Sequence, residues 1–141
     1  MQPRGLIDTG ALLALLDRSD SWHRACAQAF QNIRLPLATT SAVLAELFHF
    51  LGDHPPAMAR AWELLRSGAI TLSPLTDEDL GAIEDLMKRY ADRPMDFADA
   101  SLVRLAERES LTAIFTIDHS DFETYRISGK RKFRILPSPA D

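Results

Sequence analysis

Ala113-Ile114-Phe115-Thr116-Ile117-Asp118 is the stretch on which the reading of this chain turns. It is an apolar run, rich in β-branched residues, that stops on a carboxylate. Such a run fits a strand buried on both faces, ending where the chain leaves the core. Gly5-Leu6-Ile7-Asp8 has the same shape near the N-terminus. Residues 35–38, 69–72 and 133–136 are further short strand signals, the last stopped by Pro137. The intervals read as helices. Thr9 and Gly10 open an apolar helical segment over 11–16. Ser19-Asp20-Ser21 offers caps for 22–30, and Thr39-Thr40-Ser41 for 42–51, which Gly52 closes. Pro55-Pro56 starts a helix over 57–65, ended by Gly68. Thr76-Asp77-Glu78-Asp79 begins a helix to about Tyr90, with its acids where the helix dipole favours them. After a break at Asp92-Arg93-Pro94, residues 96–109 form an amphipathic helix with Leu102, Leu105 and Ala106 inward. Asp121-Phe122 falls in a short turn or helix, with the Phe122 ring in the core.

Short strands alternating with helices of about ten or more residues predict an α/β fold. The expected architecture is a doubly wound, mostly parallel sheet of four to five short strands, with helices on both faces. No repeat, low-complexity tract or linker interrupts it, so residues 1–141 are expected to form a single domain.

Composition excludes several classes. A hydrophobic share of 46% with 26% charged residues is ordinary for a globular protein. No apolar run approaches the roughly 20 residues of a membrane span, and residues 1–5 lack signal-peptide character, so a cytoplasmic protein without a membrane partner is expected. The single cysteine, Cys26, rules out an internal disulfide and shares a helical face with Trp22, Ala29 and Phe30, which makes it a buried structural thiol. Net charge is −4, but residues 1–123 carry −8 and residues 124–141 carry +4. That asymmetry hints at a polyanion contact.

In an open parallel sheet, ligands bind beyond the carboxyl ends of the strands, where strand order reverses. Asp8 and Asp118 each end a strand, so neighbouring strands would bring both carboxylates to one place. Glu46 is an unusual acid on a mostly apolar helix, and Asp96 and Asp99 share a helical face three residues apart. Each has a plainer reading: Asp8, Asp96 or Asp118 as a cap, Glu46 as an exposed residue on the far side of its helix. Convergence is what separates the readings. Carboxylates gathered at one end of a sheet repel and need a counter-charge. All-oxygen donors suit Mg²⁺ or Mn²⁺, while His23, His49, His54 and His119 show no zinc-type spacing with cysteine. A cation of this kind held by carboxylates has its leading use in phosphodiester hydrolysis.

With these residues in place, the chain resembles the PIN-domain ribonucleases, and within them the VapC-type toxins of bacterial toxin–antitoxin pairs. The matching pieces are Leu6-Ile7-Asp8-Thr9 with 11–15 after it, Ala45-Glu46-Leu47, Met95-Asp96-Phe97-Ala98-Asp99-Ala100, and Thr116-Ile117-Asp118 followed by Asp121-Phe122. The resemblance implies a Mg²⁺- or Mn²⁺-dependent endoribonuclease, usually a homodimer, silenced by a small cognate antitoxin protein. It carries Asp8, Glu46, Asp99 and Asp118 over as catalytic, metal-binding acids. Asp96 becomes a secondary ligand or water-positioning group, and Thr9 and Thr116 become supporting polar residues. Asp121 reads instead as a turn residue. Arg126, Lys130, Arg131 and Lys132 are the expected contacts to the RNA backbone. The alternatives are a non-catalytic PIN-like binding module and a phosphoryl-accepting receiver domain. The receiver would need an adjacent acidic pair after its first strand and a lysine near the site. This chain has Asp8-Thr9 and no lysine between Lys88 and Lys130.

Overall fold

The computed structural model describes residues 2–93 and 95–138. Pro94, expected to help break the chain, lies outside them. The elements run β1 (Gly5–Ile7), α1 (Thr9–Leu16), α2 (His23–Asn32), β2 (Leu37–Thr39), α3 (Ser41–Leu51), α4 (Pro55–Arg66) and β3 (Ile70–Leu72). They continue with α5 (Asp77–Arg89), α6 (Phe97–Glu109), β4 (Ala113–Phe115), α7 (His119–Thr124), β5 (Arg126–Ile127), β6 (Arg131–Lys132) and β7 (Arg134–Leu136).

Five strands form one parallel sheet in the order β3-β2-β1-β4-β7. Every residue of β1, β2 and β4 is buried, because helices flank the sheet and leave no wet face on these strands. The chain builds outward from β1 to β2 and β3, then returns to place β4 on the other side of β1. Strand order therefore reverses between β1 and β4, and the crevice beyond their carboxyl ends lies between Asp8 and Asp118. Leu6 and Ile7 of β1 pair with Ile114 and Phe115 of β4, which confirms the neighbourhood that the sequence reading required.

Two features at the C-terminal end differ from expectation. β5 and β6 form a separate antiparallel pair, joined by a turn in which Ser128 and Gly129 take φ of 54° and 74°. Two-residue strands are too short to leave an alternation pattern. The last strand begins at Arg134 rather than Phe133, because Phe133 turns inward to stack edge-on against Phe122, ring centroids 5.4 Å apart.

Helix α6, which carries Asp96 and Asp99 at its start, is held at its other end. Asp79 is buried in the first turn of α5, where its Oδ2 accepts the Thr76 N–H at 2.8 Å and closes a capping box. The same carboxylate accepts from Arg104 Nε at 2.8 Å and Arg108 Nη1 at 2.6 Å, both on α6. At the opposite end, the Thr40 hydroxyl that caps α3 lies 2.8 Å from the Ser101 hydroxyl, both buried. The helices bearing Glu46 and Asp99 are thereby locked together.

Candidate active site

Among the helices that begin at the carboxyl edge of the sheet, α1, α6 and α7 are each capped by an aspartate. Asp8 Oδ1 accepts the Ala11 N–H at 3.0 Å at the start of α1. Asp96 Oδ1 accepts the Asp99 N–H at 2.8 Å at the start of α6, and Asp118 Oδ1 accepts the Asp121 N–H at 3.3 Å at the start of α7. Capping and site-forming are not rival readings here. A cap occupies one carboxylate oxygen, fixes the side chain, and leaves the second oxygen for another partner.

Hydroxyls take up several of those second contacts. Thr116 donates to Asp8 Oδ2, and its oxygen accepts the Asp118 N–H at 2.9 Å, so one side chain sets both acids. The Thr9 hydroxyl donates to Glu46 Oε1 at 2.7 Å, which turns Glu46 toward the other acids rather than to the far side of α3. Thr9 and Thr116 are thus each hydrogen-bonded to one acid of the cluster. Gly10, the second residue of α1, lies close to the loop after β4: a Cβ there would stand 3.1 Å from the Ile117 side chain, which would have to shift to admit it.

Two positioning groups were not foreseen. Tyr125, fully buried, donates its hydroxyl to Asp99 Oδ2 at 3.2 Å. Its ring is fixed edge-on against Tyr90 and Phe122. Arg93 Nε donates to Asp121 Oδ1 at 3.0 Å, and its Nη2 to the Ser120 hydroxyl at 2.6 Å. Asp121 is thus more than a turn residue: it lines the same cavity as Asp8, Thr9, Glu46, Asp96, Asp99 and Asp118, a space of about 330 Å³. Neither Tyr125 nor Arg93 carried a spacing signal, since each reaches a partner 26 or 28 residues away only in the folded chain. The Asp121-Phe122 pair was the available clue, because a buried Phe122 fixes the direction of Tyr125 three residues on.

The electrostatics show what the cluster lacks. Burial, then the nearby charges of Asp118 and Glu46, push Asp8 up to about 6, against the pull of the Thr116 hydroxyl and the Ala11 N–H. Burial, then Asp96 and Asp8, push Asp99 up to about 8, although the Tyr125 hydroxyl favours its charged form. Asp118 is also raised, by burial and by Asp121, with Arg93 opposing. No Lys, Arg or His lines the cavity among the described residues. Nor are any three His, Cys, Asp or Glu side chains among them close enough to hold an ion as they stand. The donor set still suits a hard divalent cation: it is all oxygen, partly buried, and mutually repelling without an added positive charge.

The basic residues of the C-terminal segment lie elsewhere. Arg126 turns its guanidinium onto the carbonyl oxygens of Glu123, Thr124 and Tyr125 at 2.6–3.1 Å, closing the end of α7. Lys130, Arg131 and Lys132 are exposed on the β5–β6 hairpin. The Ser128 N–H at its turn donates to Glu107, eight residues along α6 from Asp99, roughly 12 Å at the helical rise. No described helix is long and apolar enough to cross a membrane.

Comparison with known proteins agrees with this architecture. The chain is 29% identical to Ribonuclease VapC26 of Mycobacterium tuberculosis, over 94% of this chain and 99% of that protein. The crystal structure of M. tuberculosis VapC20, described as a Sarcin-Ricin loop cleaving toxin, superposes with a TM-score of 0.74 at 19% identity. It covers 82% of this chain and 90% of that one. A toxin–antitoxin complex from Klebsiella pneumoniae matches with a TM-score of 0.65 at 17% identity, over 85% of this chain and 91% of that one. VapBC2 from Rickettsia felis, bound to a promoter DNA fragment, gives 0.65 at 13%, over 93% and 97%. Residues 5–127 match the PIN domain, and this chain belongs to the PIN-domain family.

Proposed function

We propose that this protein is a metal-dependent endoribonuclease that acts as the toxin of a toxin–antitoxin pair. The observation that carries the proposal is the pooling of Asp8, Glu46, Asp96, Asp99, Asp118 and Asp121 around one cavity at the strand-order reversal, with two carboxyls pushed up to about 6 and about 8. A similarity to a VapC ribonuclease that spans nearly the whole of both chains supports the substrate class. The absence of lysine from the cavity lining, among the described residues, counts against the receiver reading.

Asp8, Glu46, Asp99 and Asp118 would hold the ion, Mg²⁺ or Mn²⁺, with Asp96 as an additional oxygen donor. When bound, the ion supplies Lewis acidity toward a phosphoryl oxygen and a lower pKa for water, and it reverses the local charge that would otherwise repel RNA. The protein's own contribution is preorganisation. Thr116 fixes Asp8 relative to Asp118, Thr9 fixes Glu46, and Tyr125 fixes Asp99. Arg93 ties Asp121, which lines the cavity, to the segment before α6. No Ser, Cys or His nucleophile is required. The products are expected to carry 5′-phosphate and 3′-hydroxyl ends.

The partners follow from the same reading: RNA as substrate, a small antitoxin protein as inhibitor, and a second copy of the chain. Phe50 on α3 and Trp62 on α4 are at least half exposed, apolar surface that a second copy could cover. The direct test is incubation of purified protein with single-stranded and structured RNA, in Mg²⁺, Mn²⁺ or chelator, followed by end analysis. Cleavage only with the metals, leaving 5′-phosphates, is expected. Equal cleavage in chelator would remove the metal from the account, and no cleavage in any condition would remove the nuclease.

A further inference from the structure

A second cavity, of about 690 Å³, lies away from the carboxylates, in the angle between the last turn of α2 and strands β4 and β7. Its rim carries Arg4, Arg34 and Arg134, and its floor is apolar, with Ile33, Leu37 and Leu136. The three arginines come from three distant parts of the chain. Arg4 precedes β1, Arg34 lies between α2 and β2, and Arg134 opens β7. Because the strands are parallel, Arg4 and Arg134 mark the amino edge of the sheet, whereas Asp8 and Asp118 mark the carboxyl edge. Arg4 and Asp8 are four residues apart along β1, about 13 Å at the strand rise.

All three arginines are exposed, and no Asp or Glu lines the groove among the described residues. Among the described residues none of the three guanidinium groups has an ion-pair or side-chain hydrogen-bond partner, unlike Arg93, Arg104 and Arg108, which are all committed to carboxylates. In a chain of net charge −4, three uncommitted cations around one groove are a site complementary to an anion. The exposed Arg131 and Lys132 stand just before Arg134 in the chain and extend the positive segment. Guanidinium forks match phosphate oxygens in a bidentate geometry. Among the described residues no aromatic ring lines the groove, so a bound strand would be held by its backbone and not by stacked bases.

We propose that the groove framed by Arg4, Arg34 and Arg134 grips the phosphate backbone of RNA on the edge of the sheet opposite the carboxylates. The proposal rests on the nuclease reading for its choice of polyanion. It also accounts for the positive C-terminal segment, whose Arg126 is spent on helix closure and whose hairpin lies about two helical turns of α6 from Asp99. A grip so far from the acids acts on substrate affinity and leaves the chemical step alone.

The test is binding of fluorescently labelled single-stranded RNA, in chelator so that nothing is cut, across a series of salt concentrations. It compares the wild-type protein with the double variants Arg34→Gln/Arg134→Gln and Arg34→Lys/Arg134→Lys. The Gln pair is expected to bind more weakly and to lower the slope of log K against log salt by about 1.4, the value for two phosphate contacts on a single strand. The Lys pair, which keeps the charge, is expected to keep the slope. In cleavage assays with metal, the Gln pair should raise KM for long RNA and leave kcat within about twofold. Wild-type affinity and slope in the Gln pair would overturn the proposal. So would a wild-type protein that binds no RNA, or a Gln pair that loses binding to an acidic peptide while keeping RNA. Groove-dependent binding without any cleavage would leave the groove standing and remove the nuclease reading, so the two fail separately.

Discussion

Tyr125 and Asp99 are joined by a hydrogen bond of 3.2 Å between the buried phenol and Oδ2 of the carboxylate. The bond ties the end of α7 to the first turn of α6, and so ties the segment that follows β4 to one of the acids of the cavity. Burial, with the charge of Asp99 beside it, raises the phenol well above its usual range, so Tyr125 remains a neutral donor at any working pH.

Removing that donor should cost activity while sparing the fold. Tyr125→Phe keeps the ring contacts with Tyr90 and Phe122 but frees Asp99. A loss of about tenfold or more in metal affinity or cleavage rate is expected, the usual scale for a group that orients a ligand. Titration of cleavage rate against Mn²⁺ concentration would show it, and an unchanged curve would remove Tyr125 from the site.

Asp79 should be worth more to stability than any exposed acid. It is paired with Arg104 and Arg108 and is almost wholly buried. Burial alone would raise its carboxyl. The Thr76 N–H and hydroxyl and the two arginines outweigh that and hold it far below the usual range. A depressed folded value means that the stabilisation is present above the unfolded value near 3.8 and is lost as pH falls toward the folded one. Asp79→Ala should lower unfolding free energy by about 3–5 kcal/mol, because two partly buried cations lose their partner. Urea unfolding at neutral pH measures this, and a change under about 1 kcal/mol would contradict it.

The acids of the cavity act with the opposite sign. Asp8 and Asp99 have folded values near 6 and 8 against 3.8 unfolded, so in the metal-free protein the folded state holds protons that the unfolded chain has released. Their contribution is complete below about pH 3.8 and is lost as pH rises through 6 and then 8. In chelator, the melting temperature should therefore fall between pH 5 and 8, and Asp99→Asn should flatten the upper part of that fall. A flat wild-type profile, or an identical slope in the variant, would show that the cluster is not strained in this way.

Added metal should reverse the strain. Binding to the folded state alone stabilises by about 2.7 kcal/mol at a hundredfold excess over Kd, several degrees for a domain of this size. Mg²⁺ or Mn²⁺ at pH 7.5 should raise the melting temperature of the wild-type protein and leave Asp99→Asn nearly unmoved. An equal shift in both would place the ion elsewhere.

How much of this was visible in the residues follows from how far each relationship reaches. Asp8 and Asp118 were legible because each ends an apolar run, and a parallel sheet puts strand ends together. Glu46 stood out as an acid among Leu44, Leu47 and Phe48, but only the Thr9 hydroxyl shows which way it turns. Asp96 and Asp118 posed a choice between cap and ligand that composition could not make. The structure shows each capping its helix through one carboxylate oxygen, which leaves the other oxygen for a second partner. Tyr125 and Arg93 were invisible because their partners lie 26 and 28 residues away with no periodic signal between. The basic tail was read as one patch, whereas folding divides it among a helix closure, a hairpin and the rim of a groove. Charge counting along a chain carries no information about that division.

The central claim is that these carboxylates cut RNA, and cleavage by Asp8→Asn and Asp99→Asn tests it most directly. Asparagine is as good a helix cap as aspartate, so Asp8→Asn keeps the start of α1, and both variants relieve buried repulsion. Folding should therefore survive while the metal loses its ligands. With Mg²⁺ or Mn²⁺ and a single-stranded RNA, each variant is predicted to cleave at least about a hundredfold more slowly than the wild-type protein, with unchanged secondary structure by circular dichroism. Wild-type cleavage rates in both variants would contradict the account.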